Sequence, residues 1–247
     1  MKIVKFKKLK NSQYEITLDN CILVIHEDLI LSHGLLLTHE ISEPLLANLQ
    51  KENLIYEGYN TALKSIKTKL RSPLEIKSLL TTKGYQLEQI ERIITMLKNQ
   101  GYLDDKLYTN AFIHDKMLLT LDGPNKIIKC LENKGIEKDL IAVAITCFTE
   151  SEQIARINKV ITKSIKTNHN KSHKQLIENT TMKLLNLGYD KNLITSVLSN
   201  YLVDDTSIKK KEYIKIYNKL SKKYTGSELE YKIRQKMYQK GFSNYEE

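Results

Sequence analysis

The chain has no tryptophan, three prolines and nine glycines in 247 residues, so it is short of the residues that build tight turns. A fold of many short strands joined by hairpins would need more of them, and an all-β protein is excluded on that ground. Lysine, leucine and isoleucine dominate instead, which favours helices. Long apolar runs are missing too: no segment reaches the ~18 apolar residues of a membrane span. The opening MKIVKFKKLK alternates lysine with apolar residues where a signal peptide would have an unbroken apolar core. A cytoplasmic protein without membrane contact is expected. The three cysteines, Cys21, Cys130 and Cys147, are odd in number and set in apolar patterns such as 127-IIKCL-131 and 143-VAITCF-148. They read as reduced, mostly buried thiols rather than as disulfides or metal ligands.

Acidic residues are scarce in one part of the chain only. Residues 1–155 hold 20 Lys+Arg against 20 Asp+Glu, whereas residues 156–247 hold 19 against 9, so the whole net charge of +10 lies in the last 92 residues. A basic rear of this kind is either a solvated helical surface or an attraction for nucleic acid or an acidic protein.

What is present is a repeat. The segments 79-LLTTKGY-85, 130-CLENKGI-136, 183-KLLNLGY-189 and 236-KMYQKGF-242 place glycines at 84, 135, 188 and 241, a period of 51, 53 and 53 residues. Gly84, Gly135, Gly188 and Gly241 each follow an apolar-periodic segment and precede an apolar residue, the pattern of a helix closed by a left-handed glycine. Gly101 fits the same pattern. The doublets Asp104-Asp105, after Gly101, and Asp204-Asp205 then read as starts of the next helices, where a carboxylate accepts from unpaired first-turn amides. Three helices fit each period. In the first, helix A covers about 55–70, helix B is 73–83 with Ser72 as cap and Pro73 at its first position, and helix C is 87–100. In the second, helix B follows Gly123-Pro124 and helix C is 137–148. The later B helices, after Ser172 and Ser227, have room for about one more turn.

The expected organisation is a small N-terminal β element at 1–40, a hairpin or three-stranded sheet drawn from 14-YEITLDN-20 and 21-CILVIHEDLIL-31. A linker helix follows at 41–54, then three-helix repeats at 55–104, 105–149 and 150–204, and an incomplete two-helix repeat at 205–247. The fold class is mainly α.

In order and spacing, 71-RSPLEI-76, 101-GYLDD-105, 123-GPNKI-127 and 131-LENKGI-136, preceded by 62-ALKSI-66, resemble the RecX family of bacterial regulators of the RecA recombinase. The resemblance is strong over residues 60–136 and elsewhere lies in shape and period. It implies tandem three-helix repeats in a curved, elongated solenoid. It also implies a partner in the RecA filament, suppression of its ATP hydrolysis and strand exchange, and no enzymatic activity or cofactor. Single- or double-stranded DNA is a further partner, and a monomer is expected. The family's first helix ends in an arginine-rich stretch; here 67-KTKLRS-72 keeps only Arg71.

Other chemistries fit these residues less well. A metal-dependent nuclease would need its acids on one face, but adjacent helical residues point about 100° apart, so capping is preferred. His169 and His173 stand one turn apart, yet no cysteine or carboxylate completes a tetrahedron, and loop histidines are preferred. Gly123-Pro124 lacks the further glycines and Lys-Ser/Thr pair of a phosphate cradle and reads as a helix start. In 206-TSIKKKEYIKIYNKLSKKY-224 the residues Ile208, Ile214, Tyr217 and Leu220 are assigned to the inner face. The candidate partner or DNA contacts are Arg71, Lys209, Lys210, Lys215, Lys219, Lys222, Lys223, Arg234, Lys236 and Lys240, with a solvated face as the open alternative. The nearby tyrosines are read as helix-packing residues rather than base-stacking platforms. A general nucleic-acid-binding helical repeat without a recombinase partner is the competing function.

Overall fold

Alternating apolar residues near the start of the chain produce a three-stranded antiparallel sheet, β1 (Ile3–Lys8), β2 (Gln13–Leu18) and β3 (Ile22–His26), in the order β1-β2-β3. The computed structural model describes residues 1–10, 12–201 and 204–242. Period two sends Ile16, Leu18, Leu23 and Ile25 to one buried face, with Ile16 opposite Leu23 in the ladder. The run 21–31, read as strand-forming throughout, turns helical halfway: α1 (Glu27–Ser32) begins where Glu27 and Asp28 supply first-turn acids. His26 Nδ1 accepts from the Asp28 amide at 3.3 Å, capping it.

Helix α2 (Glu43–Thr68) is one 26-residue helix capped by Ser42, where the sequence suggested a linker helix and a separate helix A. Gly58, inside this helix, is used for close packing: a Cβ there would lie 2.5 Å from Ile93 Cδ1. Leu49 of α2 belongs to the buried cluster under the sheet, whereas Ile55, Tyr59 and Ala62 belong to the next. Buried Asn53 ties the helix to β3, accepting from His26 N at 3.1 Å and donating to Val24 O at 3.0 Å. The second cluster is completed by Ile76 and Leu80 of α3 (Pro73–Thr82) and by Ile90, Ile93 and Leu97 of α4 (Leu87–Asn99).

The helices that follow are α5 (Asp105–Leu119), α6 (Pro124–Glu132), α7 (Lys138–Ala144) with a 3-10 turn at Ile145–Cys147, α8 (Glu150–Lys166), α9 (His173–Asn186), α10 (Lys191–Leu198), α11 (Thr206–Leu220) and α12 (Gly226–Gln239). The chain is therefore mainly α, with a tandem helical-repeat pattern and one small sheet. It divides into two compact units, residues 1–111 with 133–137, and residues 112–132 with 138–247. α9 and α12 have 14 residues each against 10 in α3 and 9 in α6. α12 starts at Gly226 with Thr225 in the cap position, so Ser227 lies inside the helix rather than capping it.

The repeat glycines close their helices as the pattern requires: the amides of Tyr85, Tyr189 and Phe242 reach back to the carbonyls of Leu80, Leu184 and Met237 at 3.1, 3.2 and 3.1 Å. Those helix ends are also docking points. The fully buried Ser72 hydroxyl donates to Lys134 O at 2.8 Å, next to Gly135, and the fully buried Ser172 hydroxyl donates to Lys240 O at 2.9 Å, next to Gly241. At the middle position Gly123 stands where the others have serine, and its amide donates to Leu187 O at 2.6 Å, next to Gly188. A side chain has no room there, since a Cβ on Gly123 would sit 2.7 Å from Gly188 C and O. One start of a B helix thus rests on the glycine end of the B helix about 53 residues later, three times over.

The cysteines depart from expectation. Cys21 and Cys147 are exposed and Cys130 is half-buried, because Cys21 falls at the β2–β3 turn, Cys147 in the 3-10 turn, and Cys130 beside rather than on the Ile127–Leu131 stripe of α6.

Candidate partner-binding surface

α11 and α12 form a helical hairpin whose core is Ile216, Ile233, Met237 and Phe242, with Ile208, Tyr213, Leu220 and Leu229 packed on it. The inner face of α11 runs Ile208, Glu212, Ile216 and Leu220, a step of four. This corrects the sequence-based face: Ile214 and Tyr217 are 56% and 43% exposed. The physical reason is Glu212. Its carboxylate is buried because Lys240 reaches it at 2.5 Å and Lys215 lies at 3.7 Å. The Lys240 ammonium holds the Glu212 carboxyl below the usual glutamate range. Lys240 is therefore committed inside the hairpin, and Lys215 partly so.

The other candidates face outward. Lys210, Lys219, Lys222 and Lys223 are exposed without an ion partner among the described residues, as is Lys211; Arg234 is exposed on α12. Lys236 is exposed and donates to Gln239 at 3.2 Å. Lys209 is half-buried at the start of α11. Between these cations stand tyrosines that are exposed, where the sequence pattern suggests packing residues: Tyr217, and Tyr231 and Tyr238 at 64% and 75% exposure. Their signal was their place off the i, i+4 stripe of buried α12 residues Leu229, Ile233 and Met237. Aromatic faces interleaved with cations suit a single strand of nucleic acid, whose bases stack while its phosphates are neutralised.

In the first unit, Arg71 has its Nε buried without an acceptor among the described residues. It precedes Ser72, which caps α3 reciprocally with Glu75, the serine oxygen accepting from Glu75 N at 3.2 Å and the Ser72 amide donating to the glutamate at 3.0 Å. Glu75 also takes a hydrogen bond from Tyr108 at 3.0 Å and an ion pair from Lys134 at 2.9 Å. Burial opposes ionisation of this carboxyl, but the Lys134, Ser72 and Tyr108 bonds outweigh it and leave the group below its ordinary range.

The aspartate doublets are helix starts. Asp104 Oδ1 accepts from the amides of Lys106 and Leu107 at 2.8 and 3.0 Å, so Asp104 caps α5. Asp105 is the first helical residue; one of its oxygens is buried without a partner among the described residues, and burial pushes its carboxyl up despite Lys98 at 3.8 Å. Asp204 accepts from Thr206 N at 2.9 Å, while Asp205 accepts from His173 N at 2.7 Å and so serves the start of α9. Four carboxylates are thus spread over three helix starts. No group of three metal-ligating side chains occurs among the described residues, and His169 is exposed in a loop. The amides of Gly123 and Asn125 are already occupied, donating to Leu187 O and Gly188 O. Arg156 is internal too, donating to Met117 O and to Thr120 O at 2.8 Å and lying 5.1 Å from the Phe148 ring. No helix among the described residues is long and apolar enough to cross a membrane.

No protein-family model matches the chain. Among curated proteins it is 25% identical to regulatory protein RecX of Oceanobacillus iheyensis over 235 residues, covering 93% of this chain and 84% of that protein. It is 26% identical to regulatory protein RecX of Halalkalibacterium halodurans, covering 97% and 94% of the two chains. Its identity to regulatory protein RecX of Streptococcus sanguinis is 29%, covering 98% and 95%. A crystal structure of a regulatory protein RecX superimposes with a TM-score of 0.71 at 22% identity over 81% of this chain and 100% of the other. RecX from Lactobacillus salivarius gives 0.54 at 23% identity, over 59% and 94%. These two structures speak for the fold.

Proposed function

The chain belongs to the RecX family of regulatory proteins, and from that premise we propose that it binds RecA filaments on DNA and lowers their ATP hydrolysis and strand exchange. The single observation that carries the mechanism is the α11–α12 hairpin, which spends one acid and its apolar stripe inward and turns Lys210, Lys211, Lys219, Lys222 and Lys223 to solvent. On this reading the repeats over 55–149 supply shape and specific contacts, with Arg71 as one candidate contact for a partner carboxylate. The repeats over 150–247 supply attraction to DNA phosphate or acidic filament surface. The protein acts as a monomer in the cytoplasm by occupying the filament, and no catalytic step is needed.

The test is RecA ATPase on single-stranded DNA titrated with this protein. The expected outcome is a saturable fall in ATPase and strand exchange while the DNA stays intact. The exposed tyrosines among the lysines favour a second reading, a nucleic-acid-binding helical repeat without a recombinase partner. Salt-dependent DNA binding with unchanged RecA ATPase across the titration would select it over the first.

A further inference from the structure

We propose that a cavity between the end of α8 and the body of α9 is a binding site for a phosphate-class oxyanion. The inference is independent of the recombinase reading and of the α11–α12 surface. The cavity is about 260 Å³ and its wall contains no carboxylate. Much of its polar wall is already satisfied. The hydroxyls of Ser164 and Thr167 each donate back into α8 at 2.9 Å, to Val160 O and Lys163 O. Asn168 exchanges bonds of 2.9 and 3.0 Å with the Lys171 backbone, and Asn179 donates to Gln175 O at 2.7 Å.

What remains is a set rich in donors. The ammoniums of Lys171 and Lys183 have no ion partner among the described residues, and the Asn170 amide has no hydrogen bond there. Thr180 is the informative member. It is 3% exposed, lines the cavity, and makes no hydrogen bond among the described residues. Its neighbour Thr181 does what a helical threonine ordinarily does and donates to the carbonyl four residues back, at 2.9 Å. Its hydroxyl oxygen is not sealed from solvent, so within this nearly buried residue it opens to the cavity that Lys171 and Lys183 also line, where it can donate to an anion. Two ammoniums, a hydroxyl and an amide are the donor set for an oxyanion with several acceptor oxygens. The carbonyls at the negative end of α8, which would repel an anion, are engaged already: Lys163 O accepts from Thr167 N at 3.1 Å and Ile165 O from Asn168 N at 3.0 Å.

The experiment is calorimetric titration of the full chain with inorganic phosphate, with adenosine monophosphate, and with the dinucleotide phosphodiester TpT, using adenosine as the uncharged control. Phosphate is expected to bind saturably at one site and adenosine not at all. Binding of phosphate and adenosine monophosphate without TpT assigns a free or terminal phosphate; binding of TpT as well assigns the internal phosphates of a strand. Lys183→Gln, at an exposed position, and the near-isosteric Thr180→Val should each weaken phosphate binding about tenfold, the scale of one hydrogen bond to a charged group. Circular dichroism and the melting temperature establish that each variant is folded; if Thr180→Val is not, Lys183→Gln decides. Absence of saturable phosphate binding overturns the proposal, and so does phosphate binding that Lys183→Gln leaves unchanged.

Discussion

Gly84 and Gly188 share φ of +88°, so replacing either with alanine imposes the same backbone strain, about 1 kcal/mol. Everything else about the two sites differs. A Cβ on Gly84 meets nothing within 4 Å, whereas a Cβ on Gly188 would lie 2.4 Å from Lys126 N and 2.6 Å from Lys126 Cβ. Real Cβ contacts do not come that close, so the first turn of α6 must retreat. Two hydrogen bonds hold it there, Gly123 N to Leu187 O at 2.6 Å and Asn125 N to Gly188 O at 3.1 Å. Losing both costs about 2 kcal/mol at a net ~1 kcal/mol each. Gly84→Ala should therefore destabilise by about 1 kcal/mol and Gly188→Ala by about 3 kcal/mol. Urea unfolding followed by circular dichroism, with the slope checked for constancy, measures both. The difference isolates what the docked helix end contributes beyond a glycine's left-handed turn. Equal losses, or a larger loss for Gly84→Ala, would refute the claim that helix ends hold successive repeats together.

Replacing Lys210, Lys215, Lys219 and Lys223 with glutamine should make the plot of log affinity against log salt for single-stranded DNA shallower by up to ~3 units, about 0.7 per phosphate, and leave helicity intact. Unchanged slope would make this a solvated face. Lys240→Gln should destabilise by on the order of 1 kcal/mol, discounted for the partial exposure of the lysine. Because Glu212 has a lowered folded-state pKa, its pair contributes above the unfolded glutamate value and is lost as pH falls through the folded value, so wild type and variant should converge in acid; a gap that persists there would refute the pairing. Asp104→Ala should lose a cap worth about 1 kcal/mol, whereas Asp105→Asn, at a carboxyl whose ionisation is opposed by burial, should leave stability at neutral pH unchanged or higher by thermal melting.

The glycine period and the caps at Ser72 and Ser172 are local patterns, and these were legible: a left-handed turn and a cap each need only residues within one turn of each other. What escaped the sequence is non-local. Nothing near Glu212 in sequence announces its burial, because the lysine that allows it lies 28 positions away, and without that burial the pattern points Ile214 and Tyr217 inward. The role of Gly58 in mid-helix is equally non-local, since nothing near it in sequence announces Ile93 against it. Asp105 and Asp104 are equally good caps by composition, and only the amides of Lys106 and Leu107 reaching Asp104 Oδ1 choose between them. The exposed lysines were legible from charge alone, whereas the tyrosines among them depended on knowing which stripe of α12 is buried.

The single helix α2 has a consequence for how the first unit comes apart. With 26 residues it is about 39 Å long, and it lends Leu49 to the core under the sheet and Ile55, Tyr59 and Ala62 to the core of the next three helices. Neither core can melt while the other stays whole without fraying a continuous ladder of hydrogen bonds through residues 50–58, so the two should exchange their amides as one cooperative foldon with a common opening free energy. A perturbation confined to the sheet, such as Asn53→Ala at its tie to β3, would then register as faster deuterium uptake as far along as α4.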